Sequence, residues 1–89
     1  MGKKEIWNKI YESAGFVYGE EPIHLVKMAW QRLRKGKLLD LGMGEGRNAV
    51  FLASQGFEVT GVDVSDVAVE KAKKMAYDKG VSIETKVMD

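Results

Sequence analysis

Leu38-Leu39-Asp40-Leu41-Gly42-Met43-Gly44-Glu45-Gly46-Arg47-Asn48-Ala49 opens as an apolar run, passes three alternating glycines and leaves with a helical pattern. Glycine adopts positive φ without strain and keeps a Cβ out of the way of an approaching ligand. A strand over Lys37 to Leu41 that enters Gly42-x-Gly44-x-Gly46 and continues as a helix therefore reads as a ligand-binding turn. In an open α/β sheet such a turn lies at the carboxyl end of its strand, where ligands bind. The bland alternative is a tight strand-to-helix turn that holds nothing.

Downstream of the turn, residues 46–55 are predicted helical, with Val50, Leu52 and Ala53 apolar, and stop at Gly56. Phe57 to Asp63 reads as a second strand. Ser65 can cap a helix over 66–79 whose inner face is Ala68, Ala72, Met75 and Ala76, and Gly80 ends it. Val81, Ile83, Thr85 and Val87 then alternate as a third strand. Strands alternating with helices imply βαβαβ over 37–89 with a parallel sheet, and right-handed crossovers give the order 3-2-1.

Upstream, a helical segment fills 1–36. Residues 3–14 form a first helix with Ile6, Trp7, Ile10, Tyr11 and Ala14 on one face, and Gly15 ends it. An aromatic loop over 15–22 leads to Pro22, which suits the first turn of a second helix. That helix is expected to run to about Arg34, with Ile23, Val26, Ala29, Trp30 and Leu33 buried. Arg32, Arg34 and Lys35 complement its negative end, and Gly36 stops it.

The 89 residues are predicted to form one α/β domain with a thin stability margin. Fourteen basic against thirteen acidic residues leave +1, so no polyanion such as nucleic acid is expected as a partner. There is no cysteine, which excludes thiolate catalysis and cysteine-ligated zinc and fits a cytoplasmic protein. No metal site is expected. No apolar run reaches the ~20 residues that span a bilayer. The first residues lack the apolar core of a signal peptide, and Ile6 stands where a myristoylation signal has Ser or Thr.

Two carboxylates narrow the ligand. Asp40, two residues before the first glycine, can pair with an ammonium group. Asp63 ends the second strand, nineteen residues after Gly44, where an acid accepts hydrogen bonds from ribose hydroxyls. A dinucleotide fingerprint requires Gly-x-Gly-x-x-Gly, but Arg47 stands at the third glycine position and Gly46 comes one residue early. Asp40 suits the zwitterionic methionine end of S-adenosylmethionine better than a diphosphate. A nicotinamide-dinucleotide half-domain is the alternative.

Residues Leu38 to Ala49, followed by Val59-Thr60-Gly61-Val62-Asp63-Val64-Ser65, resemble the first two motifs of class I S-adenosylmethionine-dependent methyltransferases. Gly46-Arg47-Asn48, Trp7, Tyr11 and the loop from Phe16 to Pro22 look like a small-molecule branch that includes tellurite-resistance and thiopurine-type enzymes. The resemblance implies that Asp40 and the turn of Gly42, Gly44 and Gly46 hold the methionine part, with Arg47 and Asn48 opening the helix beneath it. It implies that Asp63 binds the ribose, that Val64 and Ser65 flank the adenine, and that Asp89 falls where an acid reaches the adenine amino group. Tyr11, Phe16 and Tyr18 could close over the donor, or simply pack the leading helices. His24 is expected to be a solvated surface residue, and Glu70, Lys71, Lys73, Lys74, Asp78 and Lys79 a solvated helix face. No catalytic residue is assigned.

The family fold has seven strands in the order 3-2-1-4-5-7-6, and this sequence ends after the third. The resemblance therefore implies a Rossmann-like half-fold, inactive alone, that lacks the residues after strand 4 with which the family usually meets a small-molecule methyl acceptor. Strand 1, apolar on both faces and open at its edge, is expected to drive homo-oligomer formation. An assembly module that binds nothing is a further alternative.

Overall fold

A computed structural model describes residues 2–12 and 15–88. The fold is α/β, with a three-stranded parallel sheet in the linear order β1-β2-β3. The strands are β1 (Lys37–Leu41), β2 (Glu58–Asp63) and β3 (Glu84–Val87). The helices are α1 (Lys3–Tyr11), α2 (His24–Ala29, continued by a 3-10 turn over Trp30–Arg32), α3 (Arg47–Ser54) and α4 (Asp66–Asp78). This is the 3-2-1 order expected from right-handed crossovers. No helix among the described residues is long and apolar enough to cross a membrane.

The β1–β2 ladder pairs Lys37 with Glu58 through Leu41 with Val62. The N–H of Met43 extends it by donating to the Val62 carbonyl at 2.9 Å, so the glycine turn is tied to the sheet. Met43 is buried in the main core with Ala49, Leu52, Phe57, Val59, Val69 and Ala72. It lies directly on Gly61, where an added Cβ would come 1.9 Å from the Met43 sulfur. Gly61 in mid-strand thus exists to let the turn pack down.

The helix α4 follows its sequence closely. The Ser65 hydroxyl accepts from the Ala68 N–H at 3.0 Å as its cap, and Ala68, Ala72, Met75 and Ala76 are buried. Such a cap is worth about 1 kcal/mol.

The structure differs from the sequence reading in three places. The first helix ends at Tyr11; Ala14, expected on its face, lies outside the described residues. Only Tyr11 of that face is buried, while Ile6, Trp7 and Ile10 stay partly exposed. The second helix is six residues long rather than twelve or so, starting after an extended Ile23 that offers no side-chain cap. A helix so short has little stability of its own. It is held by Val26 and Trp30 against the core, with Trp30 edge-on to Phe51 at 6.3 Å, while Ile23 and Leu33 are exposed. The third strand starts at Glu84 rather than Val81, because the Val81 N–H closes the end of α4 on the Ala76 carbonyl at 2.9 Å.

Candidate functional site

The turn between β1 and α3 carries Gly42, Gly44 and Gly46 at φ values of 68°, 60° and 88°. All three lie in the region that disfavours a side chain. Their surroundings differ. A Cβ on Gly42 would meet nothing within 4 Å, so this glycine faces open space. One on Gly44 would come 2.9 Å from the Tyr11 hydroxyl, and one on Gly46 would come 2.7 Å from the Ala72 Cβ. Gly46 therefore lets α3 pack on α4, whereas Gly42 and Gly44 border the cleft.

Asp63, at the carboxyl end of β2, is joined to this turn. One carboxylate oxygen accepts from the Gly44 N–H at 2.8 Å and the other from the Ser65 N–H at 3.0 Å. Each oxygen retains a further lone pair for a ligand. Asp40 is half-buried in β1, and burial, followed by the Asp63 charge, raises its carboxyl above the usual range.

Two concavities open along the turn. The first, of about 400 Å³, is lined by Asp63 and Val64 on one side and by Trp7, Tyr11, Gly42 and Met88 on others. The second, of about 300 Å³, is lined by Gly42 to Glu45, Arg47, Asn48 and the aromatic rings of Trp7, Tyr11 and Tyr18. Such volumes are those of small-ligand sites, at about 300–1,000 Å³. Trp7, Tyr11 and Gly42 border both.

The helix α1 supplies the aromatic wall. Trp7 stacks on Tyr11 at 5.9 Å, and Tyr11 meets Tyr18 edge-on at 6.3 Å. The Arg47 guanidinium lies 5.9 Å from the Tyr18 ring centre and donates to its carbonyl at 3.4 Å. Burial first, then Asp63, Tyr18 and Glu45, push the Tyr11 hydroxyl up to about 12, against a lowering by Arg47.

The sequence-predicted residues are thus gathered unevenly. Gly42, Gly44, Arg47, Asn48, Asp63, Val64, Tyr11 and Tyr18 meet at the cleft or in contact with its walls. Asp40, half-buried in β1, lines neither concavity. The Asn48 side-chain oxygen accepts from the Ile23 N–H at 2.8 Å, which ties the approach to α2 onto α3. Ser65 is fully buried as the cap of α4. Phe16 packs against the second core cluster of Val50, Met75 and Ala76. Asp89 lies outside the described residues. His24 is exposed.

Sequence reasoning missed three features. Asn8 fastens α1 to the turn after Asp63: its side-chain oxygen accepts from the Ser65 hydroxyl and, at 3.4 Å, from the Val67 N–H, while its amide donates to Asp66 at 2.8 Å. That hydrogen bond, ahead of the other causes, holds the Asp66 carboxyl below its ordinary value. The available signal was a polar residue one turn before Tyr11 on the same helical face. The second is the buried Glu45, which pairs with Lys71 at 3.0 Å while Lys71 also donates to the Gly15 carbonyl at 2.6 Å. Lys71 is therefore not part of the solvated face expected of α4. Nothing in the linear pattern distinguishes it from Lys73 or Lys74. The third is Met88, a wall of the first concavity.

Comparison with known proteins agrees with this geometry. Residues 38–89 match the family model described as a methyltransferase domain. YqeM of Bacillus subtilis is 35% identical over 73% of this chain and 29% of its own length. A ubiquinone biosynthesis O-methyltransferase of Rickettsia felis is 34% identical over 86% of this chain and 34% of its own. A methyltransferase of Thiobacillus denitrificans, solved with S-adenosylhomocysteine, superposes with a TM-score of 0.74 at 32% identity, over 100% of this chain and 38% of that one. The chain thus spans about a third of the length of such relatives.

Proposed function

The chain belongs to the class I S-adenosylmethionine-dependent methyltransferases, and from that premise we propose that its cleft binds the methyl donor, nucleoside end in the first concavity and methionine end in the second. One observation carries the reading. The two concavities meet over Gly42, at the carboxyl end of β1, where an added Cβ would project into open space.

The residues present fit this ligand. Asp63 lines the first concavity with carboxylate lone pairs to spare for the ribose hydroxyls, and Val64 and Met88 offer an apolar surface to the adenine. The peptide groups of the glycine turn, with Arg47 and Asn48 beyond, face the methionine end. When bound, the donor supplies an electrophilic methyl group on a sulfonium. The chain's own residues hold and orient it, and such positioning is the larger part of what a protein adds to an in-line displacement. The proposed acceptor in the whole protein is a small molecule rather than a nucleic acid, in keeping with the balanced charge. A cytoplasmic place of work fits a sequence without cysteine.

Calorimetric titration with S-adenosylhomocysteine tests the reading. Saturable binding that excess NAD does not displace is expected; no heat at millimolar ligand would sink it, and displacement by NAD would favour the dinucleotide alternative.

A specific observation also supports self-association. Among the described residues β1 pairs only with β2, and Leu39 and Leu41 are 59% and 73% exposed beside that free edge. We propose that two copies pair across it. Sedimentation as a sharp monomer at high concentration would exclude this, and binding without effect on assembly would separate it from the donor site.

A further inference from the structure

The second concavity is walled by parts of the chain that lie far apart in sequence. One wall is the glycine turn, Gly42 to Glu45, and another holds Tyr18 and Gly19 of the loop between α1 and α2. Both segments are tied to one side chain that lines neither concavity. The Lys71 ammonium, on α4, pairs with Glu45 Oε2 at 3.0 Å and donates to the Gly15 carbonyl at 2.6 Å.

The dependence on this ammonium is physical. The Glu45 side chain is only 3% exposed, and its Oε1 is buried without a hydrogen-bond partner among the described residues. A buried charge that loses its counter-charge is strongly destabilised. Without Lys71, Glu45 must turn out to water. Lying between Gly44 and Gly46, it carries the turn with it. On the other side, Phe16 packs the loop onto the core, and Lys71 fixes its entry at Gly15. The further polar ties of the loop are longer, from Arg47 to the Tyr18 carbonyl at 3.4 Å and from Lys79 to Glu20 at 3.9 Å. Asp63, Val64 and Met88, which wall the first concavity, are not joined to this brace.

We infer that Lys71 is a positioning residue for the methionine end of the donor: its ammonium holds the glycine turn and the Tyr18 loop at the spacing that the amino-acid part of the ligand requires. This rests on the donor-binding reading above and deepens it. The nucleoside end is held independently of the brace.

The test compares two ligands, S-adenosylhomocysteine and 5′-methylthioadenosine, which is the same nucleoside thioether without the amino-acid end. Affinities are measured for the parent, Lys71→Arg, Lys71→Met and Lys71→Met/Glu45→Gln, with circular dichroism to verify folding. The double variant leaves no buried charge and so keeps the comparison open if Lys71→Met does not fold. In the folded variants without a cation, S-adenosylhomocysteine is expected to bind about tenfold more weakly, the equivalent of one charged hydrogen bond out of place. The affinity for 5′-methylthioadenosine stays at the parent value, and Lys71→Arg recovers part of the loss. Equal weakening of both ligands, or of neither, overturns the inference. Loss of folding in both Lys71→Met and the double variant makes Lys71 a requirement of the fold and overturns it too. Failure of S-adenosylhomocysteine to bind the parent defeats the donor-binding reading instead, and this inference with it.

Discussion

Replacing Asp63 with alanine should damage the chain twice, and the two effects can be measured apart. The carboxylate accepts one N–H from Gly44, which is buried, and one from Ser65, also buried. Hydrogen bonds to charged groups contribute about 1.5–3 kcal/mol each, and a donor left unpaired in the interior loses about 1–3 kcal/mol. Asp63 is only half-buried, so water can replace part of the loss, and a combined cost of about 2–4 kcal/mol is expected. A chain of 89 residues has about 4–13 kcal/mol in total. With a urea slope of about 1 kcal/mol/M, the denaturation midpoint should fall by about 2 M or more. In the fraction that remains folded, S-adenosylhomocysteine should bind about 5- to 150-fold more weakly, equivalent to about 1–3 kcal/mol of lost hydrogen bonding. Asp63→Asn keeps one carbonyl acceptor but turns an amide donor toward a backbone N–H, so it should fall between parent and alanine. An unchanged midpoint in Asp63→Ala would refute the account of the turn, and an unchanged affinity would refute the ribose role.

Three other outcomes follow from the same packing. Gly46→Ala combines a positive φ with a Cβ 2.7 Å from that of Ala72, and should cost about 2–4 kcal/mol in equilibrium denaturation, partly recovered by adding Ala72→Gly. Tyr11 is raised to about 12 from an ordinary 10.0, so the neutral phenol is the form the fold favours. That stability is fully present below pH 10 and is lost as pH climbs toward 12, and a denaturation series over this range should show a shallower decline for Tyr11→Phe. Asp40 is also raised, so the fold prefers it protonated, and its penalty grows as pH rises above its ordinary value. Asp40→Asn should accordingly be more stable than the parent at pH 7, with the gap closing in acid; equal midpoints at both pH values would contradict the assigned burial.

The parts of the fold legible in the sequence were those fixed by local pattern. The strand at Lys37–Leu41 coincides with its prediction, and α4 with its Ser65 cap does so to within a residue. Regular spacing and a strong cap act over a few residues and leave a trace in the sequence. The second helix was overestimated because its apolar spacing continues to Leu33, whereas its burial is decided by Trp30 finding Phe51. The same holds at the site. Glycines at alternate positions announce a turn, but not that Gly46 faces Ala72 while Gly42 faces open space. The bonds of Asn8 to Ser65 and of Lys71 to Glu45 join residues far apart in sequence, and no periodicity records them.

The attachment of α1 also sets an order of events. Asn8 reaches partners 57 to 59 residues further along the chain. Contacts across such a separation form late, because a long loop must close before they bring any gain. During synthesis α1 emerges before α4, yet its Asn8 has nothing to dock on until Val67 has followed. The aromatic wall is therefore hung on a cleft whose glycine turn is already in place, and a helix made before its partners is seated after them.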